Sequence, residues 1–213
     1  MARLVCLANS ERPGGQCIAG IDLDTREWIR PVPRDLDAVP MARCIVDDKF
    51  LAPLDIIELD YLRPREPSMY QRENRIIRNW NWSIVGRFRK ADLPALCDDT
   101  APILHTASDR VPPAFLDKLS AAQSSSLQLV RPRRLRFEHD HRQQHRWRAR
   151  FTDAAGNEYF LPITDVGTTR RLGGGVPINP KSILTVSLSK PWTPSDRSKP
   201  ALCYKLVAAV MEV

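Results

Sequence analysis

Glycine is scarce in this 213-residue chain, nine against eighteen prolines, and lysine is scarcer still beside arginine, seven against twenty-five. No long helical period runs through the sequence. Cysteine occurs five times, at Cys6, Cys17, Cys44, Cys97 and Cys203, with no Cys-x-x-Cys pair. Thiols so spaced, most of them inside apolar runs, read as buried groups in a reducing cytoplasm and not as a disulfide frame or zinc site. No apolar stretch approaches the roughly 20 residues of a membrane helix. The N-terminal MARLVCLANSERPGG has only a short apolar run, so no signal peptide and no membrane partner are expected. No Gly-Lys-Ser/Thr follows a glycine run and no Gly-x-Gly-x-x-Gly opens a helix, so no cofactor is expected.

What the chain has is positive charge. Its net charge is +7 and its pI about 9.4. Arginine's planar fork suits bidentate phosphate contacts better than lysine's point charge. A GC-rich genome also raises arginine everywhere, but it does not explain clustering. Between Arg131 and Arg150 there are eight arginines. Arg146, Arg148 and Arg150 alternate with Trp147, Ala149 and Phe151, and Arg134 and Arg136 alternate with Leu135 and Phe137. Period two is the mark of a half-buried strand. Paired as a hairpin through Asp140 to Gln144, the two runs would set five arginines on one sheet face. Like charges facing each other destabilise a sheet, and an anionic backbone would offset that cost.

Elsewhere the apolar runs are short and β-branched: Arg3 to Leu7, Gln16 to Leu23, Glu27 to Val32 and Leu54 to Leu62, divided by turn clusters such as Glu11 to Gly15. Trp80, Trp82 and Ile84 alternate with Asn81, Ser83 and Val85 as a further strand. The middle changes character. Ala91 to Asp98 and Pro112 to Gln123 carry apolar residues at helical spacing, the second opening on two prolines that suit a first turn. Beyond it come a long strand from Leu127 to Glu138 interrupted at Pro132, then a hairpin of His145 to Thr152 with Glu158 to Ile163 around Asp153-Ala-Ala-Gly-Asn157. A short helix over Thr164 to Leu172 and strands at Ser182 to Leu188 and Tyr204 to Val213 complete it. Three strands, a helix and two strands is the element order of an OB barrel. The expected architecture is mostly β: two OB-like β-barrel units, residues 1–110 and 127–213, with a short helical connection at 111–126.

Three stretches carry a resemblance: LANSERPGGQCIAGIDLDTREWIRPV from Leu7, YQREN from Tyr70, and ILTVSLSKPW from Ile183 with CYKLVAAVM from Cys203. Together they resemble a prokaryotic family of dual-OB-domain proteins, over nearly the whole chain. The resemblance implies two packed OB-like units and a nucleic-acid role, often in genome defence, including antiviral defence. It brings no catalytic residue set.

Each candidate site has a plainer alternative. Arg134, Arg136, Arg146, Arg148 and Arg150 form either a phosphate-binding face or a solvated hairpin face with some arginines paired to acids. Trp80 and Trp82, flanked by Arg72, Arg75, Arg78, Arg87 and Arg89, form either a stacking platform or part of the first unit's core. Arg170 and Arg171 precede Gly173, Gly174 and Gly175, whose amides would approach a phosphate or simply make a connection. His139, His141 and His145 place His-x-His at a turn, better read as a polar hairpin tip than as a metal pair. Cys17 lacks any histidine before His105 to serve as its base. With no triad, metal set or paired carboxylates, a non-enzymatic nucleic-acid-binding module is expected. A sensor of a small phosphorylated ligand or modified nucleotide, and a scaffold with protein partners in a defence complex, are the alternatives.

Overall fold

The computed structural model describes residues 1–35, 38–62, 70–120, 123–140, 143–193 and 200–213. The chain forms two compact units, Met1–Ser68 with Glu73–Leu93, and Met69–Arg72 with Pro94–Val213. No helix among the described residues is long and apolar enough to cross a membrane.

In the first unit β1 (Ala2–Arg12) and β2 (Gly15–Asp22) form an antiparallel hairpin, and β3 (Trp28–Val32) pairs back on β2. A bulge at Cys6/Ala8 brings β1 onto Gly20, where an added Cβ would lie 2.0 Å from the Val5 carbonyl oxygen. Only glycine permits that approach. A 3₁₀ turn at Met41–Cys44 and a small hairpin, β4 (Ile45–Val46) with β5 (Lys49–Phe50), stand where an OB barrel carries its helix. Next come β6 (Asp55–Leu59) and β7 (Tyr61–Leu62), two halves of one strand broken at Asp60, then β8 (Asn74–Ile77) and β9 (Ser83–Arg87). β6 pairs with β1, β7 with β8, and β8 runs parallel to β3. The pairing thus runs round an OB ring, and β9 is added on β6.

Two buried carboxylates, each paired with arginine or lysine, hold this ring. Arg30 and Glu73 meet at 2.8 Å with side-chain exposures of 1% and 7%, and the Arg30 amide donates to the Glu73 carbonyl. Arg30 lies in the first resembling stretch and Glu73 in YQREN, so those stretches meet at the β3–β8 junction. Asp55 is wholly buried, and Lys49 and Arg87 each reach its Oδ1 at 2.8 Å. A carboxylate so buried needs that compensation.

In the second unit β10 (Arg110–Val111), α1 (Pro113–Leu116), β11 (Leu127–Val130), β12 (Arg133–Asp140), β13 (Gln143–Thr152), β14 (Glu158–Pro162), α2 (Val166–Gly173), β15 (Ile183–Leu188) and β16 (Cys203–Met211) follow in order. β12, β13 and β14 form one antiparallel sheet; β11, β15, β16 and β10 form another. A parallel bridge between Ile163 and Val207 joins them. With β11 and β12 as one interrupted strand, this is the OB ring: first strand on second and fourth, third beside fifth, helix between third and fourth. Leu135, Ala149, Phe151, Tyr159, Leu161, Leu184, Val186 and Val207 fill it, each large side chain contributing roughly 1.5–3 kcal/mol. The expected turn is held by Asp153, whose carboxylate accepts from the Ala155 and Asn157 amides, Asn157 Nδ2 and the Tyr159 hydroxyl. Asp165 caps α2 by accepting from the Thr168 amide at 3.1 Å.

Three expectations change. The units divide at Leu93/Pro94, not at 110, and among the described residues of 111–126 no continuous helix forms: Val111 and Leu116 are buried in the second unit's core. The helix over 112–123 is only Pro113–Leu116, continued by i→i−3 turns at Lys118 and Leu119. With Leu116 the only buried residue of the turn, too little apolar surface is covered to extend it. The segment 91–98 is a 3₁₀ helix, Lys90–Leu96, because Pro94 inside it has no amide to donate.

Candidate nucleic-acid interface

The arginine hairpin forms, but its face is not a bare row of charge. Phe137 opposes Ala149 and His139 opposes Trp147 on the inward side, so Arg136 opposes Arg150 and Glu138 opposes Arg148 on the outward side. Arg134 drops out of the alternation. It sits in a bulge between Arg133 and Arg136 with φ of 54°, where one extra residue is accommodated. Arg148 Nε donates to Asp140 at 2.6 Å. Arg150 donates to Glu138 at 3.1 Å and, from β14, to Glu158 at 2.9 Å. Both guanidiniums also lie over the Phe160 ring, at 5.0 and 4.4 Å. Arg134, Arg136 and Arg146 are exposed, and among the described residues no carboxylate pairs with them.

Beside this face, between β14 and the strands β16 and β10, lies a cleft of about 460 Å³ lined by Asp109, Arg110, Asp140, Arg148, Phe160, Pro162, Tyr204 and Lys205. It opens because β14 meets β16 only near Ile163, so the Phe160 backbone turns to side chains instead of a strand. Its amide donates to Asp109 at 3.3 Å and its carbonyl accepts from Arg148 at 2.8 Å. Arg110 pairs in register with Tyr204 and is exposed at the rim. Lys205 is 1% exposed, and its ammonium donates to Thr106 O at 2.5 Å, Thr106 Oγ1 at 3.1 Å and Ser108 O at 2.6 Å. Burial pulls its pKa down to about 8 against the attraction of Asp109 and Asp153. Burial pushes the Asp109 carboxyl up, opposed by the Phe160 amide and by Arg148, Lys205 and Arg110. Past the cleft, in the connection between β15 and β16, Trp192 is 56% exposed and meets Tyr204 edge to face at 5.8 Å.

The family model for the dual OB-containing domain matches residues 2–210, spanning both units. The chain belongs to this family. Two solved structures are similar along nearly the whole length of this dual-OB chain. One is the p204 HINb domain, 13% identical, with 96% of this chain and 95% of that chain covered and a TM-score of 0.34. The other is the tetrameric p202 HIN2, 13% identical, covering 99% and 91% with a TM-score of 0.32. Similarity at that level bears on neither ligand nor mechanism. No curated protein matches.

The remaining candidates in the dual-OB chain do not gather at the cleft. Trp80 and Trp82 precede β9 instead of lying on it. Trp82 is buried in the first unit's core at 7% exposure, Trp80 packs against that core, and their rings are 5.7 Å apart. Trp82 is too buried to offer a base a face, and Arg43 lies 5.3 Å over the Trp80 ring. The glycine run is the C-terminal cap of α2. The Gly174, Gly175 and Val176 amides donate to the Arg170, Leu172 and Arg171 carbonyls, so they are not open to a phosphate. Arg171 is held by Glu212 at 2.6 Å, whereas Arg170 is exposed. His139 stacks on Trp147 at 3.7 Å; His141 and the side chain of His145 lie outside the described residues. The sequence reading missed Asp109, Arg110, Phe160, Tyr204 and Lys205. Tyr204 and Lys205 lie in CYKLVAAVM, the one signal that pointed toward them.

Proposed function

We propose that this chain is a non-enzymatic nucleic-acid-binding module that takes a flexible single strand across the β13–β14 face of its second unit. An OB barrel uses its second and third strands, with the loops between first and second and between fourth and fifth strands, to hold oligonucleotides. Here those strands are β13 and β14. The observation that carries the reading is the continuity of that face with the cleft: Arg136, Arg146 and Arg110 supply exposed charge, while Tyr204 and Trp192 supply rings within one surface. Positive charge along the backbone and rings beneath the bases are the two parts of single-strand recognition. A genome-defence role rests on the family resemblance alone. The test is fluorescence anisotropy with single- and double-stranded DNA and RNA of equal length over a salt series. The reading requires tighter binding to single strands and affinity that falls with salt; salt-insensitive binding, or none, would refute it.

A second reading, a small phosphorylated ligand, is favoured by the cleft volume, which lies within the roughly 300–1,000 Å³ of small-molecule sites. It places that ligand in the cleft and not at the capped glycine run. A thermal shift with mononucleotides, unaccompanied by oligonucleotide binding, would select it.

A further inference from the structure

We infer that the cleft is a base-reading pocket that prefers guanine, with Asp109 as the acceptor for the base's Watson–Crick edge. The inference rests on the single-strand reading above and extends it from charge and stacking to specificity. A cleft meant only for phosphate would be lined by cations and amides, yet this one contains two carboxylates, Asp109 and Asp140. Asp140 is engaged by Arg148 at 2.6 Å. Asp109 is half-buried, and among the described residues its carboxylate takes one hydrogen bond, from the Phe160 amide to Oδ1 at 3.3 Å. A carboxylate has about four acceptor positions, so Asp109 retains acceptor capacity at the wall of the cleft.

The cleft also carries Arg110, Arg148 and Lys205, so a phosphate would be drawn to its cationic side, whereas the Asp109 wall suits a neutral edge rich in N–H donors. Guanine has two such donors side by side, N1–H and the N2 amino group, matched to the two oxygens of one carboxylate. Its adjacent O6 is an acceptor for a guanidinium, and Arg110 follows Asp109 in the chain with no carboxylate paired to it among the described residues. Adenine has an acceptor at N1 and would set a lone pair against Asp109; thymine and uracil have one donor between two acceptors; cytosine has only its amino group. Tyr204, which lines the cleft, is the ring against which the base plane would rest, since the Phe160 ring already lies beneath Arg148 and Arg150. The lift in the Asp109 pKa from burial is a cost that two N–H donors would relieve, because they stabilise the charged carboxylate.

The experiment is anisotropy with the full chain and labelled oligo(dT) hosts carrying one central guanine, hypoxanthine, adenine, cytosine or thymine. The guanine host is expected to bind about tenfold tighter than the adenine and thymine hosts, as one good bidentate contact provides. Hypoxanthine, which keeps N1–H and lacks the amino group, is expected to fall between. In D109N, with melting checked against the wild type, the preference for guanine over the other bases should fall to within about twofold. Equal affinity of the wild type for all five hosts overturns the inference and leaves the single-strand reading standing; absence of binding to every host overturns both. The base series in the wild type does not depend on the variant folding.

Discussion

Replacing Arg134, Arg136 and Arg146 together with alanine removes three hairpin guanidiniums that no described carboxylate holds, and leaves Arg148 and Arg150 with their partners Asp140, Glu138 and Glu158. If each of the three neutralises one phosphate of a single strand, together they contribute about −2 to the slope of log affinity against log salt, at roughly −0.7 each. Between 50 and 200 mM salt the wild type should therefore lose roughly twentyfold of its advantage over the triple variant. The reciprocal variant, R148A/R150A, should act differently. Those side chains are 27% and 32% exposed and already neutralised, so any phosphate they meet must displace a carboxylate. Its slope should change by less than about one unit. Its stability should fall by about 1–2 kcal/mol, because three half-exposed ion pairs and two contacts over Phe160 are lost. Anisotropy over a salt series and urea denaturation measure the two quantities. An unchanged slope in the triple variant, or a loss confined to R148A/R150A, would show that the division between free and held arginines is not what governs binding.

Aromatic roles separate in the same pair of assays. Tyr204→Ala should weaken single-strand binding by about 1–3 kcal/mol with little change in melting, whereas Trp82→Ala should cost about 3–5 kcal/mol of stability by leaving a core cavity; weakened melting in the first with unchanged binding would reverse the assignment. Glu73→Ala leaves Arg30 buried without its carboxylate and should cost about 3–5 kcal/mol in urea denaturation; a neutral result would mean that Arg30 is compensated elsewhere. Lys205 yields a pH signature. Its folded pKa, near 8, lies below the ordinary 10.5, so the unfolded chain binds the extra proton between those values and stability rises with pH across that window. Relative to Lys205→Met, the wild type should gain on the order of 3 kcal/mol from pH 8 to 10.5, read as the difference between denaturation curves; a difference independent of pH would refute the burial argument.

Local pattern was enough for some features of this chain. The alternation from Leu135 to Phe137 and from Trp147 to Phe151 reads directly as a hairpin, because period two is a property of one strand. The Asp153 to Asn157 turn and the helix after Asp165 are equally local, since the groups that satisfy their amides lie within four residues. The order of strands and helix in the second unit follows from these. Trp80 and Trp82 show where the pattern runs out. Two aromatics at spacing two look the same whether their partners are bases or Leu4 and Ile57, and only the packing of the first unit decides for core. The arginine row is a similar case. Glu138 and Asp140 stand nearby in sequence, but Glu158 reaches Arg150 only because β14 pairs at the register Arg150–Phe160.

By itself, then, the sequence determined the sign of the charge, the strand-rich class, the hairpin and the ring order of the second barrel, all of which depend on residues near one another in the chain. Tertiary structure decided which guanidiniums are held by acids and where the cleft opens. The cleft draws on Asp109, Arg148, Phe160 and Tyr204, side chains from one connection and three separate strands with no common period. They meet because β14 and β16 part beyond a single bridge, and that parting is a property of barrel closure that no local segment encodes.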